Sequence, residues 1–369
     1  MPMQVPLLDL KREYSEVRDG VEAAVSDVLA ETRFINGPQV TELENQIAEY
    51  CGAKYAVGVA SGTDSLLLAL RAAGVGPDTE VITTTFSFFA TAGTVANLGA
   101  TPVFVDIEPD TYNLDVSQIE ARITSKTRVI MPVHLFGQSA DMEPILEIAK
   151  RHKLTVIEDA AQALSAKYQD RRVGVFGDMG CFSFYPTKNL GCAGDGGIIV
   201  TNSEELAASL RALKAHGAKV KYFHDMVGYN SRLDTIHAAI LLAKLPSLDK
   251  WTEARRRNAE FYNQQFAGAE LTRPSAKDYA YHIYNQYTIM VEKRDALKAF
   301  LTDKNIGYEI YYPLPLHLQK CFEHLGYREG DLPVSESCAR QVISIPIYPQ
   351  LTEPERAYVA ETVLEFAGS

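Results

Sequence analysis

Between Tyr55 and Thr201, short β-rich runs alternate with helical patterns, and this alternation constrains the fold more than any other feature of the chain. The strand candidates are residues 56–60, 80–85, 103–107, 128–134, 155–158, 181–184 and 197–201. Helical stretches such as 65–73 and 142–152 lie between several of them. Strands joined by helices imply an α/β fold with a parallel sheet covered on both faces. Ligands of such sheets sit at the carboxyl ends of the strands, so chemistry is expected there.

After Ser203 the pattern changes. Residues 206–215, 234–245 and 248–266 read as helices, the last long and amphipathic with Trp251 and three consecutive arginines from Arg255. Strand candidates at 284–291, 308–312 and 342–346 and helices at 294–305 and 353–366 follow. The expected organisation is a large domain with an N-terminal arm over residues 1–245, then a linking helix and a small α+β domain over 246–369. A length of 369 residues suits two domains.

The net charge of −11 argues against binding nucleic acid or an anionic membrane by general positive charge. It leaves room for a local basic pocket. The five cysteines are scattered and lack C-x-x-C spacing, so reduced thiols are expected rather than disulfides or a metal centre. No apolar run approaches the ~18 residues of a membrane helix. Residues 1–10 show no basic region followed by an apolar core. A soluble, cytoplasmic protein is expected.

Four strand ends carry unusual residues. Ser61-Gly62-Thr63-Asp64 opens a helix and exposes backbone N–H groups at the positive end of its dipole, an anion site or an ordinary N-cap. Glu158-Asp159-Ala160-Ala161-Gln162 places Asp159 at the end of a buried strand, as a helix cap or the partner of a buried cation, with Gln162 nearby if the chain turns helically. The run from Cys181 to Pro186 precedes Lys188 and a glycine-rich stretch ending at Gly197. Lysine is usually solvated, but a desolvated lysine loses its proton more easily and becomes a nucleophile. Thr85-Phe86-Ser87-Phe88-Phe89 is either core packing or a ring stacked on a flat ligand.

One ligand accounts for all four. Pyridoxal 5′-phosphate has an aldehyde for a lysine, a pyridine nitrogen for a carboxylate, a phosphate for a helix N-terminus and a flat ring for an aromatic cover. Competing motifs are missing. There is no G-x-G-x-x-G after a strand, no P-loop, no H-E-x-x-H pair and no G-x-S-x-G elbow.

These residues resemble the pyridoxal-phosphate-dependent nucleotide-sugar aminotransferases of the DegT/DnrJ/StrS type. The resemblance runs from Pro6-Leu7-Leu8-Asp9-Leu10 to Ser344-Ile345-Pro346-Ile347-Tyr348-Pro349, and includes Phe34-Ile35-Asn36-Gly37-Pro38, Gly228 through Asp234 and Tyr311 through His317. It implies the fold type I aminotransferase architecture, with a large, mostly parallel sheet domain and a smaller α+β C-terminal domain. It also implies a homodimer with shared active sites. By position, Lys188 carries the cofactor aldehyde and Asp159 pairs with the pyridinium nitrogen. Gln162 lies by the ring hydroxyl and Phe88 stacks on the ring. Gly62, Thr63 and Ser183 hold the phosphate, and Asn230 reaches it from the other subunit. Arg232, Tyr311, Tyr312 and His317 are substrate-side positions.

The resemblance further implies ping-pong transamination from L-glutamate, giving 2-oxoglutarate, to a nucleotide-linked ketosugar. Lys188 decides for transamination, because related sugar dehydratases carry histidine there. Tyr311-Tyr312 resembles relatives acting on 3-keto-6-deoxy sugars. C-4 ketosugars, 3-keto-uronates and a non-catalytic regulatory role are the alternatives, along with decarboxylation, racemisation or aldol-type cleavage on the same cofactor. His237 stands where many relatives have glutamine, and is read as a packing change.

Overall fold

The computed structural model describes residues 3–220 and 222–368, so the ends of the expected domains, Met1 and Ser369, lie outside the described residues. The alternating region forms a seven-stranded sheet of β1 (Tyr55–Val59), β2 (Glu80–Thr84), β3 (Thr101–Val105), β4 (Thr127–Met131), β5 (Thr155–Asp159), β6 (Met179–Ser183) and β7 (Gly197–Thr201). The order is β1-β7-β6-β5-β4-β2-β3. The sheet is mostly parallel, with one exception to the simple alternation. β7 runs antiparallel to both β1 and β6. Parallel neighbours need a crossover, usually helical, but residues 184–196 between β6 and β7 are glycine-rich and contain no helix. The chain therefore doubles back beside β6.

The helices are α1 (Leu10–Glu31), α2 (Pro38–Cys51), α3 (Gly62–Ala72), α4 (Ala90–Asn97), α5 (Met142–His152), α6 (Glu204–Leu213), α7 (Thr235–Lys244), α8 (Leu248–Gln265), α9 (Arg294–Asp303), α10 (Pro333–Gln341) and α11 (Glu353–Ala367). Four of them, α1, α2, α4 and α10, are not among the helices named from the sequence. α1 begins where the Asp9 carboxylate accepts from Lys11 N and Arg12 N, and only Glu13, Val21 and Val28 of its residues are buried. So narrow a buried stripe leaves little periodic signal.

Towards the C-terminus, β8 (Tyr287–Met290) and β9 (Val342–Ile345) pair antiparallel. The strand expected at 308–312 does not form; Glu309 alone bridges to Ser344. Pro313 and Pro315 cannot donate to a ladder, and Tyr312 is held elsewhere, by Gln162. One core cluster joins Val5 to Tyr262, Tyr287, Ile343 and Val363. Val5 enters it by pairing with residues 305 and 307, since its N–H donates to Asn305 O and its carbonyl accepts from Gly307 N. All five cysteines are free thiols. Among the described residues no helix is long and apolar enough to cross a membrane.

Candidate active site at the carboxyl edge of the sheet

Strand direction assembles the site. Because β7 is antiparallel to both neighbours, β1 runs parallel to β6, and the carboxyl ends of β1, β2, β5 and β6 all lie on one edge. All four motif-bearing turns leave from that edge. The register sets Gly197 opposite both Val59 and Ser183, so the reversed strand starts between the Ser61 turn and the end of β6. A side chain at Gly197 would put its Cβ 2.4 Å from Ser61 O, so only glycine fits.

The Ser61 turn is a helix cap that also leaves backbone donors bare. Ser61 Oγ accepts from Asp64 N at 3.0 Å. The Gly62 and Thr63 N–H groups belong to the first turn of α3 and have no intrahelical acceptor. A Cβ on Gly62 would lie 2.6 Å from Ser183 Cβ, which brings this bare backbone against the end of β6.

Asp159 is buried at the end of β5. Its Oδ2 accepts from Thr91 Oγ1 at 2.8 Å and its Oδ1 from Ala161 N at 3.2 Å. No cationic group lies within ion-pair distance of it among the described residues. Burial raises its pKa, and the hydrogen bonds from Thr91 and Ala161 and the charge of Lys188 only partly oppose this. A buried carboxylate in this condition favours a cationic partner.

Lys188 follows β6 on the glycine-rich connection and keeps intermediate surface exposure. Crowding by protein atoms lowers its ammonium to about 8, against the opposing pull of Asp159. The neighbouring Asn189 is buried, and neither its side-chain nitrogen nor its oxygen has a partner. The connection cannot shift freely: a Cβ on Gly191 would fall 2.4 Å from Pro186 O. The buried ammonium of Lys244, salt-bridged to Glu13 at 2.6 Å, also donates to Gly191 O.

Gln162 is locked in orientation. Its Oε1 accepts from Phe136 N at 2.8 Å, and its Nε2 donates to the Tyr312 hydroxyl at 3.1 Å. Phe88 is 58% exposed, with its ring centroid 6.5 Å from that of Tyr312. Tyr311 packs edge-on against Tyr312, with centroids 5.6 Å apart. Burial raises both phenols, so they stay neutral.

The other expected positions are placed less directly. Arg232 Nη2 donates to Asn230 Oδ1 at 2.6 Å, and Asn230 is exposed. The adjacent Ser231 ties this segment to the α3 turn by donating to Asp64 Oδ2 at 2.9 Å. His317 does not face open space. It is buried, with Nδ1 2.7 Å from Thr85 Oγ1 and Nε2 3.2 Å from Glu336 Oε1. Both ring nitrogens are thus engaged within the protein. His237 packs near the glycine-rich connection, 3.1 Å from where a Gly194 Cβ would stand.

Sequence reasoning missed Thr91, Ser231 and Asn189. Thr91 sits inside α4, where a buried threonine is indistinguishable from core. Ser231 and Asn189 lie inside motifs read from the sequence, but nothing in them singles out these two side chains.

The family model "DegT/DnrJ/EryC1/StrS aminotransferase family" matches residues 16–364. The chain is 51% identical to the "Pleiotropic regulatory protein" of Geobacillus stearothermophilus over 99% of both chains. It is 45% identical to the "UDP-N-acetyl-3-dehydro-alpha-D-glucosamine 3-aminotranferase" of Acidithiobacillus ferrooxidans over 97% of both. Among solved structures, DesV of S. venezuelae in complex with a ketimine intermediate superposes with a TM-score of 0.98 at 42% identity, covering 100% of both chains. The ntda protein of Bacillus subtilis with bound cofactor PMP gives 0.92 at 31% identity, covering 99% of this chain and 86% of that one. The chain belongs to the DegT/DnrJ/EryC1/StrS aminotransferase family, whose fold it shares.

Proposed function

We propose that this protein transfers an amino group from L-glutamate to a nucleotide-linked ketosugar, using pyridoxal 5′-phosphate. The observation that carries the reading is the pair formed by Lys188, lowered to about 8, and Asp159, a buried carboxylate with no ion-pair partner among the described residues. The cofactor's four chemical handles each find a residue here. Lys188 would take the aldehyde, and Asp159 would supply the counter-charge for a protonated ring nitrogen. Gly62, Thr63 and Ser183 offer donors to the phosphate, and Phe88 covers the ring. Gln162 and Tyr312 attend the ring hydroxyl and the sugar side.

When bound, the cofactor supplies an aldehyde that takes up the amino group and a ring that withdraws electrons from the carbon losing its proton. The protein does the rest. Lowered to about 8, Lys188 Nζ would take the proton from the donor's α-carbon as a neutral amine and return a proton as an ammonium. Asp159 stays ionised once a cation neutralises it. Asn230, held by Arg232 and exposed, would reach the phosphate of a second copy's site in a homodimer. Recognition of the anionic groups is local, because the overall field of a chain with net charge −11 is repulsive.

On the sugar side, Tyr311 and Tyr312 present neutral phenols. The Tyr311-Tyr312 pair resembles that of relatives acting on 3-keto-6-deoxy sugars, which favours such a sugar over a uronate. Residues 1–245 would then form the cofactor unit, and residues 246–369 a cover for the sugar.

The test is a glutamate-dependent assay against TDP-, UDP- and GDP-linked ketosugars, with the aminated carbon located by NMR. Borohydride reduction should fix the cofactor on Lys188, and Lys188→Ala should lose at least about a hundredfold in turnover. Fixation on another lysine would refute the assignment. The regulatory reading is favoured by the name of the Geobacillus relative. It predicts no glutamate half-reaction in protein that carries cofactor.

A further inference from the structure

His317 is expected on the substrate side, yet both its ring nitrogens are engaged within the protein, and its surroundings give it a task of its own. The segment from Tyr311 to Pro315 has no regular structure, yet it carries Tyr312 to Gln162. It is anchored at the end of β2. Leu316 N donates to Thr85 O at 2.7 Å, and His317 N donates to Thr85 Oγ1 at 3.1 Å.

The imidazole completes this anchor, and its partners fix its tautomer. Glu336 Oε1 faces Nε2, and a carboxylate oxygen only accepts, so Nε2 carries the proton. Nδ1 is then an acceptor, and the Thr85 hydroxyl donates to it at 2.7 Å. Glu336 is held in turn by Gly330 N, at 2.9 Å from both carboxylate oxygens, and by Leu332 N. The ring lies among the carboxylates of Glu336, Asp106 and Asp331, beside the ring of Tyr327. Burial outweighs their attraction and lowers the histidine pKa, so the ring is neutral at neutral pH. A second proton would have to go on Nδ1 and would break the bond from Thr85.

We propose that His317 is a positioning residue for Tyr312: clasped between Thr85 and Glu336, it holds the 311–316 segment so that the Tyr312 hydroxyl meets Gln162 over the site. It touches neither cofactor nor sugar and acts only through Tyr312. The proposal rests on the aminotransferase reading for its kinetic consequence, but not for its structural one.

The experiment is a double-mutant cycle in the full-length, cofactor-loaded protein. Thr85→Val removes one hydroxyl at nearly constant shape. In the wild-type background it should lower kcat/KM for the ketosugar about tenfold, and in the Tyr312→Phe background by less than about twofold. His317→Asn, whose Oδ1 takes the place of Nδ1 as acceptor, should retain more activity than His317→Phe. In cofactor-free protein, amide hydrogen exchange across residues 311–317 should quicken in Thr85→Val. An equal loss in both backgrounds, or unchanged exchange, overturns the proposal. If the wild-type protein transfers no nitrogen from glutamate, the functional reading fails, and the exchange measurement still decides the clasp. Should His317→Phe not fold, Thr85→Val carries the test.

Discussion

The side-chain amide of Gln162 donates to the Tyr312 hydroxyl at 3.1 Å, linking residues 150 positions apart across the mouth of the site. Because the Tyr312 oxygen accepts this bond, its own proton remains available to a ligand. Tyr312→Phe should therefore leave Gln162 Nε2 unpaired and lower kcat/KM for the ketosugar about tenfold, the size of one lost hydrogen bond. Steady-state kinetics with the sugar varied would measure it; an unchanged KM and kcat would remove Tyr312 from the sugar side.

Lys188 should titrate early. In cofactor-free protein its acylation rate should rise with a midpoint at about pH 8, far below that of the exposed lysines. The same shift has a stability consequence. Between about 8 and the ordinary lysine value, the unfolded chain holds more protons than the folded one, so stability rises with pH across that window. Lys188→Met should flatten this slope in chemical denaturation of the cofactor-free protein.

Asp159→Asn should separate stability from function. The folded-state pKa of Asp159 is raised by burial. The native state therefore holds the extra proton longer, and stability falls as pH rises through that range. Asparagine carries no such charge, so cofactor-free Asp159→Asn should be no less stable than wild type at pH 8. It should nonetheless lose about a hundredfold in turnover, for want of the counter-charge. Thermal melts beside single-turnover rates would settle both halves.

Gly62→Ala should lose cofactor with little change in the rest of the fold. The new Cβ would fall 2.6 Å from Ser183 Cβ, which forces the α3 turn away from the end of β6. Equilibrium dialysis should show weaker retention by at least about tenfold. Retention equal to wild type would place the phosphate elsewhere.

Much of this architecture was legible before any coordinates. The runs ending at Thr84, Asp159 and Ser183 were readable because buried strands are continuous apolar segments bounded by turns. Lys188, Asp159, Gly62 and Phe88 stood out because a charge, a glycine or exposed rings at a strand end break that pattern. Less was legible where partners are distant in the chain. Thr91 gives no local sign that its hydroxyl serves Asp159, 68 positions away. Val5 gives none that it pairs with residues near 306.

The sequence by itself determined that the chain is α/β and that its unusual turns, those of Asp159 and Lys188 among them, lie at strand ends. Local periodicity and the residue types at turns carry that information. Only the tertiary structure decided that β7 reverses to bring Gly197 between Ser61 and Ser183. It alone showed that residues 308–312 do not form a strand, and that His317 lies clasped between Thr85 and Glu336. Each of these depends on which distant groups satisfy a buried donor or acceptor, and that pairing is settled by packing, not by neighbours along the chain.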